Sequence, residues 1–301
     1  MQDQSCKVVS PKELFVSGHR GCAGCGEMNA VRQVLLAAGE NSIVANATGC
    51  LEVASTAYPQ TSWNIPWVHA AFENAAAVAS GVDAALKALG KREGVNVFAF
   101  AGDGGTFDIG FQALSGMLER RQKVIYVVFD NEAYMNTGIQ RCSSTPYGAS
   151  TTTSPAGKKS IGEHYQKKPI ANIVAAHDIP YVATATIAYH VDLKKKVQKA
   201  CKIGGPCFIH VFAPCPTGWR HASDDTIEMS RLAVETGVFV LWELEGGYDP
   251  SKINVTYKPK ERKPVIEYLK GQRRFAHLMD KPEELKKIQD EVDAKCKMFG
   301  F

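Results

Sequence analysis

Between Val95 and Asn131 two short apolar runs flank a glycine-rich turn and a helical pattern, and few folds accommodate that order. Val95 to Ala101 (VNVFAFA) is too short for a typical helix and rich in β-formers, which predicts a buried strand. Gly102-Asp103-Gly104-Gly105 follows; glycines there permit a sharp turn and a close approach of backbone N–H groups to a ligand. Thr106 to Arg120 places Phe107, Phe111, Leu114 and Leu118 at helical spacing, and Val124 to Phe129 (VIYVVF) reads as a second buried strand ending in Asp130-Asn131. Strand, turn, helix, strand is a parallel βαβ crossover. The expected fold class is therefore α/β, a mostly parallel sheet with helices on both faces. In such sheets ligands sit beyond the carboxyl ends of the strands, where Asp103 and Asn131 fall. One carboxylate, one amide oxygen and a nearby main-chain carbonyl suit Mg²⁺ or Ca²⁺ holding a diphosphate. The plainer alternative is an Asp103 that only caps the helix.

Cysteine is the second constraint. The chain has nine, and in a reducing compartment that number points to metal or cluster binding before disulfides. Cys22 and Cys25 bracket a glycine-rich turn (GCAGCGE) ahead of a predicted helix, Met28 to Ala38. A strand, Ser42 to Ala47, then delivers Cys50 to the edge expected to hold the diphosphate. A CxxC pair alone reads as zinc, redox dithiol or iron–sulfur ligand. A redox dithiol does not call for a third cysteine, and zinc would want a second close pair or histidines. Glu27 is at minimum a first-turn acid complementing the helix dipole.

Asp103, followed by Asn131 28 residues later, together with the GDG turn resembles the thiamine diphosphate motif of TPP-dependent enzymes. The string DNEAYMNTGIQR, Asp130 to Arg141, and the blocks GCAGCGE, ATGCLE and APCPTGW resemble β subunits of the 2-oxoacid:ferredoxin oxidoreductases of the pyruvate synthase type. The likeness spans about Ser17 to Tyr248. It implies a TPP-binding, pyrophosphate-domain type of α/β fold. By resemblance, Asp103, Asn131 and the carbonyl of Ala133 coordinate Mg²⁺, and Gly102, Gly104, Gly105 and Tyr134 line the cofactor. Glu27 and Cys50 touch it as well, and Asn136 reaches both the thiazolium and the substrate. Cys22, Cys25, Cys50 and Cys215 would carry one [4Fe–4S] cluster. The implied reaction is oxidative decarboxylation of a 2-oxoacid with coenzyme A, reducing ferredoxin, or its reverse. The string YMNTGIQR favours pyruvate; branched 2-oxoacids and oxalate are the alternatives. The family draws its TPP-activating carboxylate from an α subunit, with γ and ferredoxin-like subunits as further partners. No CxxCxxCxxxC run for additional clusters occurs in this chain. Two other classes compete: a cluster-bearing subunit without TPP, opposed by the intact GDG-to-Asn131 unit, and a non-redox TPP lyase, opposed by the four cysteines.

The rest of the chain adds less. Trp63 to His69 reads as an aromatic packing loop, with His69 a weak candidate for chemistry, and Ala70 to Leu89 as a tightly packed Ala-rich helix. Cys142 to Lys168 is a long polar loop, expected to cover the site or strap a neighbour. Ile170 to His177 and Val191 to Ile203 read as helices, Tyr181 to Ile187 and Pro206 to Ala213 as strands, and Ser230 to Leu244 as a helix then a strand; the sheet would have about six strands. Residues 1–250 are expected to form the cofactor-binding body and 251–301 an arm packed on it or on a partner. The arm holds 13 Lys and Arg against 8 acids, and its last helix, Glu283 to Phe299, has Asp280 as the expected N-cap. Cys6, Cys142, Cys201, Cys207 and Cys296 are expected to be bystander thiols. A net charge of +4 gives no reason to invoke nucleic acid or membrane, and no apolar stretch nears the roughly 20 residues of a membrane span. The N-terminal residues lack a signal-peptide pattern, which places the chain in the cytoplasm by expectation.

Overall fold

The structure, a computed structural model, describes residues 12–301; Cys6 lies outside the described residues. Among these, one sheet holds eight strands: β1 (Ser42–Ala47), β2 (Trp67–Ala70), β3 (Asn96–Gly102), β4 (Ile125–Asp130), β5 (Tyr181–Thr186), β6 (Cys207–Phe212), β7 (Leu241–Glu245) and β8 (Asn254–Tyr257). Their order is β2-β1-β3-β4-β6-β5-β7-β8. The first six in that order are parallel; β7 is antiparallel to β5, and β8 to β7. The expected six strands become eight because β2 and β8 are only four residues each, too short for a legible alternation. Trp63 to His69 is corrected accordingly: its second half is edge strand β2, with Pro66 just before the first strand residue, where a missing N–H is tolerated.

The apolar runs behave as strands buried on both faces should. Along β3, Val97, Ala99 and Ala101 enter one core while Phe98 and Phe100 enter the opposite one. Helix α1 (Gly26–Ala38) covers the Phe98 face through Ala30, Val31, Val34 and Leu35. After the short helix α2 (Cys50–Ser55), α3 (Ala75–Ala88) and α4 (Phe111–Glu119) cover the Val97 face. Two helices on the far half, Ile170–Ala175 and His190–Lys202, complete the two layers.

The helix expected from Thr106 is interrupted. Gly104–Ile109 forms a widened π-helical turn, and α4 starts only at Phe111. A Cβ on Gly110 would lie 2.1 Å from the Gly105 carbonyl oxygen, so this wide turn requires glycine there. Such turns are frequent at functional sites.

A third apolar core lies beyond β6. It joins Phe212, Trp219, helix Thr226–Glu235 and the C-terminal residues Val265, Tyr268, Leu269, Phe275, Leu278, Val292 and Cys296. The last helix is Pro282–Met298; its N-cap is Lys281 and not Asp280, and no side chain caps it. Between Asp130 and Ile170 the chain forms no helix or strand, yet Cys142, Ser144, Thr145, Ala149 and Glu163 are buried there. Among the described residues no helix is long and apolar enough to cross a membrane.

Candidate functional site

Strand order locates the site. From β1 the chain crosses outward to β2, whereas from β3 it crosses the opposite way to β4. The crevice between the carboxyl ends of β1 and β3 is therefore a topological switch point, where open α/β sheets bind ligands. Thr48, Gly49 and Cys50 follow β1, Asp103 follows β3, and Asn131 follows β4.

A cavity of about 140 Å³ opens there, lined by Glu27, Cys50, Gly102, Asp103, Gly104, Asn131, Ala133, Tyr134 and Asn136, with Thr48, Phe72 and Met135 adding walls. Asp103 does cap, as in the plainer alternative, but with one oxygen only. Its Oδ1 accepts from Gly104 N at 2.7 Å, and Oδ2 accepts from Ala133 N at 3.0 Å, tying the β3 and β4 ends together. Burial, reinforced by nearby Asp130, pushes the Asp103 carboxyl well above its usual range. Beside it the buried Asn131 Oδ1 has no hydrogen-bond partner. A buried carboxylate with no salt-bridge partner among the described residues and an orphaned amide oxygen at one spot are what a hard divalent cation would satisfy.

Gly104 admits no side chain: a Cβ there would sit 2.1 Å from Tyr134 Cε1. The Tyr134 ring is fixed in turn by its O–H donating to Asp108 Oδ2 at 3.0 Å and by an edge contact with Phe72. Gly104→Ala is therefore expected to displace Tyr134 and cost about 1–3 kcal/mol as overpacking. Denaturant unfolding would measure this, and adding Tyr134→Ala should recover much of the loss. An unchanged midpoint for Gly104→Ala would show that the ring is not held there.

A second cavity, of about 200 Å³, adjoins the first. Cys22, Cys25, Cys50 and Cys215 all line it, although they come from three separate stretches of the chain. Cys25 immediately precedes α1, Cys50 opens α2, and Cys215 precedes the short helix Pro216–Trp219. At Cys215 a backbone N–H consequently points at sulfur: Gly218 N donates to Cys215 Sγ at 3.3 Å. Burial nevertheless raises these thiols, Cys25 to about 12, with Cys50 and Cys215 also above the usual value. As thiolates they would need cationic partners in the cavity. Among the described residues no three His, Cys, Asp or Glu side chains converge closely enough for one metal ion. Four thiols spread around a cavity suit a multi-iron cluster better, since each thiolate binds a different iron.

Glu27, Cys50, Asn131 and Asn136 line both cavities and form their common wall. Glu27 is buried in the first turn of α1, and burial alone pushes its carboxyl to about 8. The structure thus brings together all the site residues read from sequence except Gly105, which lines neither cavity and lies behind the turn, where a Cβ would meet Phe72 O at 3.1 Å. Cys142 is buried and faces neither cavity.

Sequence reading missed a charged cluster under the site. Asp130 receives Lys167 Nζ at 2.6 Å, His210 Nε2 at 2.6 Å and Ser144 Oγ at 2.6 Å. Burial opposes its ionisation, but Lys167 and His210 together bring Asp130 below the usual carboxylate range. Burial likewise keeps the His210 imidazole below its ordinary value despite Asp130. A lone His inside the apolar strand CFIHVF was the available signal. Lys167, in the polar loop, gave none.

The family described as "Thiamine pyrophosphate enzyme, C-terminal TPP binding domain" matches residues 47–211. Pyruvate synthase subunit PorB of Methanocaldococcus jannaschii is 57% identical, covering 96% of this chain and 97% of that protein. PorB of Pyrococcus furiosus is 49% identical over 97% and 95% of the two chains. Ketoisovalerate oxidoreductase subunit VorB of Pyrococcus abyssi is 51% identical over 89% and 86%. A solved 2-oxoglutarate:ferredoxin oxidoreductase from Magnetococcus marinus shares the fold, with a TM-score of 0.59 at 20% identity over 76% of this chain and 82% of that one. Near full-length identity of this size, on a TPP-binding domain whose cavity lies at the sheet's switch point, means that the chain belongs to the pyruvate synthase subunit PorB family of TPP-dependent 2-oxoacid:ferredoxin oxidoreductases.

Proposed function

We propose that this chain holds Mg²⁺ and thiamine diphosphate in the switch-point cavity and one [4Fe–4S] cluster in the cysteine-lined cavity. As the β subunit of a larger assembly it would take part in CoA-dependent oxidative decarboxylation of pyruvate, or the reverse synthesis, with ferredoxin as electron partner. The observation that carries this reading is the common wall of Glu27, Cys50, Asn131 and Asn136. When bound, thiamine diphosphate supplies the nucleophilic carbon and electron sink for decarboxylation, and an iron–sulfur cluster takes up electrons singly.

The chain's own residues then have separable roles. Asp103, Asn131 Oδ1 and the Ala133 carbonyl offer oxygen ligands to the cation; one carboxylate among neutral donors suits a Mg²⁺ that shares its charge with a diphosphate. Gly102 and Gly104 bring backbone close to the phosphates, Gly105 supports the turn from behind, and Tyr134 packs over it. Glu27 contacts the cofactor from the wall. Asn136 is exposed at the mouth of both cavities and would orient the reacting group of the substrate. Cys22, Cys25, Cys50 and Cys215 hold the cluster. No carboxylate of this chain is assigned to activating the aminopyrimidine; the α subunit supplies it, with γ and ferredoxin-like subunits completing the path to ferredoxin.

The substrate has a second reading. The VorB relative, at 51% identity, stands between the pyruvate synthase relatives at 57% and 49%, so a branched-chain 2-oxoacid is the alternative to pyruvate. Purification of the assembled enzyme without oxygen tests the whole reading. About four irons per chain in addition to those carried by the ferredoxin-like subunits, a reduced-cluster signal in low-temperature EPR after dithionite, and bound TPP are expected. The isolated chain is expected to show no CoA-dependent oxidation of any 2-oxoacid, while the assembly oxidises pyruvate faster than 2-oxoisovalerate. TPP without iron would leave a non-redox lyase subunit, and iron without TPP an electron-transfer subunit. Full turnover by the isolated chain would refute the need for a partner carboxylate.

A further inference from the structure

The C-terminal segment carries a buried arginine that lines neither cavity. Arg274 is only 3% exposed, and its guanidinium lies 4.9 Å from the ring centroid of Phe275, a member of the third apolar core. Its Nε donates to Gln272 Oε1 at 2.9 Å, and its guanidinium pairs with the carboxylate of Glu132. The guanidinium lies 4.0 Å above the centroid of the Trp219 ring. Trp219 Nε1 in turn donates to the Asn131 carbonyl at 2.7 Å.

Both contacts converge on one peptide turn. Glu132 adopts φ +70°, a left-handed conformation that is strained for a non-glycine residue and must be held by its surroundings. That turn separates Asn131 from Ala133, yet both line the cavity with Asp103. The backbone around it is pinned on every side. Glu132 N donates to Asp130 Oδ1 at 3.1 Å, Glu132 O accepts from Thr145 Oγ1 at 2.9 Å, and Ala133 N donates to Asp103 Oδ2 at 3.0 Å. The side chain is held by Lys167 Nζ at 2.8 Å and by Arg274. Lys167 is shared with Asp130, which leaves Arg274 as the cation committed to Glu132 alone.

We infer that Arg274 is a positioning residue for the cation site, holding Glu132 and Trp219 so that Asn131 and Ala133 present their oxygens beside Asp103. The inference rests on the Mg²⁺ reading given above. It also gives the C-terminal arm a function, because residues remote in sequence then brace the ligand turn from behind. Arg274, being buried, is not available to a docking partner. Outer residues that orient metal ligands characteristically change affinity about 10- to 100-fold when replaced.

The test uses the full chain assembled with its partner subunits, loaded with thiamine diphosphate and titrated with Mn²⁺ in place of Mg²⁺. Room-temperature EPR of the free aqueous ion reports binding. The paired variant Glu132→Gln/Arg274→Met removes the ion pair without stranding either charge in the interior. Arg274→Lys keeps the charge but loses the planar fork and the stack on Trp219. The paired variant is expected to bind Mn²⁺ about 10- to 100-fold more weakly, and Arg274→Lys less so, with iron content unchanged in both. Mn²⁺ affinity equal to wild type in both variants would overturn the inference. If the paired variant does not assemble, wild-type affinity in Arg274→Lys overturns it alone. Failure of the wild-type enzyme itself to bind Mn²⁺ would instead sink the metal reading beneath it.

Discussion

Asp103→Ala is expected to abolish Mg²⁺-dependent thiamine diphosphate binding while the iron content stays at the wild-type level. Asp103 is the one carboxylate of the proposed cation site, and both its oxygens are already oriented by Gly104 N and Ala133 N. Replacing it removes a charged ligand, and the alanine also frees the β3 end from the β4 end. Affinity for the Mg²⁺ cofactor complex should fall by more than the roughly 100-fold upper range for merely supporting residues. Asp103→Asn separates the two causes. It preserves volume and an acceptor oxygen but not the charge, so its affinity should stay near that of the alanine variant if cation binding dominates. The measurement is equilibrium binding of thiamine diphosphate at saturating and zero Mg²⁺, with iron counted on the same sample. Retention of Mg²⁺-dependent binding in Asp103→Ala would remove the metal assignment.

Cys25→Ala is expected to give the opposite pattern: loss of the cluster, with thiamine diphosphate still bound. Cys25 lines the cysteine cavity and not the switch-point cavity, whereas Asp103 does the reverse. A four-iron cluster with three thiolates has one iron exposed to solvent and oxidant, so the iron held by this chain, beyond that of the ferredoxin-like subunits, should fall from about four toward zero on aerobic handling. CoA-dependent oxidation should drop to background, because the released electrons have no acceptor within the chain. Cys201→Ser serves as the control: that thiol packs at the edge of the Phe98-side core and should leave iron unchanged. Full iron content in Cys25→Ala, or loss of iron in Cys201→Ser, would contradict the assignment of Cys22, Cys25, Cys50 and Cys215.

The two variants together test the shared wall. If Glu27, Cys50, Asn131 and Asn136 separate two cofactors, damage on either side should stay on that side, while Cys50→Ala should weaken both. Measuring iron and thiamine diphosphate on the three variants reads this out directly.

What the sequence determined by itself was the part written in local patterns. The runs VNVFAFA and VIYVVF are strands because parallel sheets bury both faces, and their glycine-rich connection needs no distant contact to be recognised. The cysteine blocks and the GDG-to-Asn131 spacing carried the resemblance to the TPP-dependent 2-oxoacid:ferredoxin oxidoreductases in the same way. Only the tertiary structure decided how these pieces meet. Strand order put β1 beside β3, and so placed Cys50 and Asp103 at one crevice; no spacing along the chain encodes that neighbour relation. It also made an edge strand of Trp67–Ala70, whose four residues carry too little pattern to be read. The half-buried Lys167 and the buried Arg274 were illegible for a physical reason: charged residues in polar stretches are ordinarily solvated, and only packing shows which have been drawn inward to meet Asp130 and Glu132.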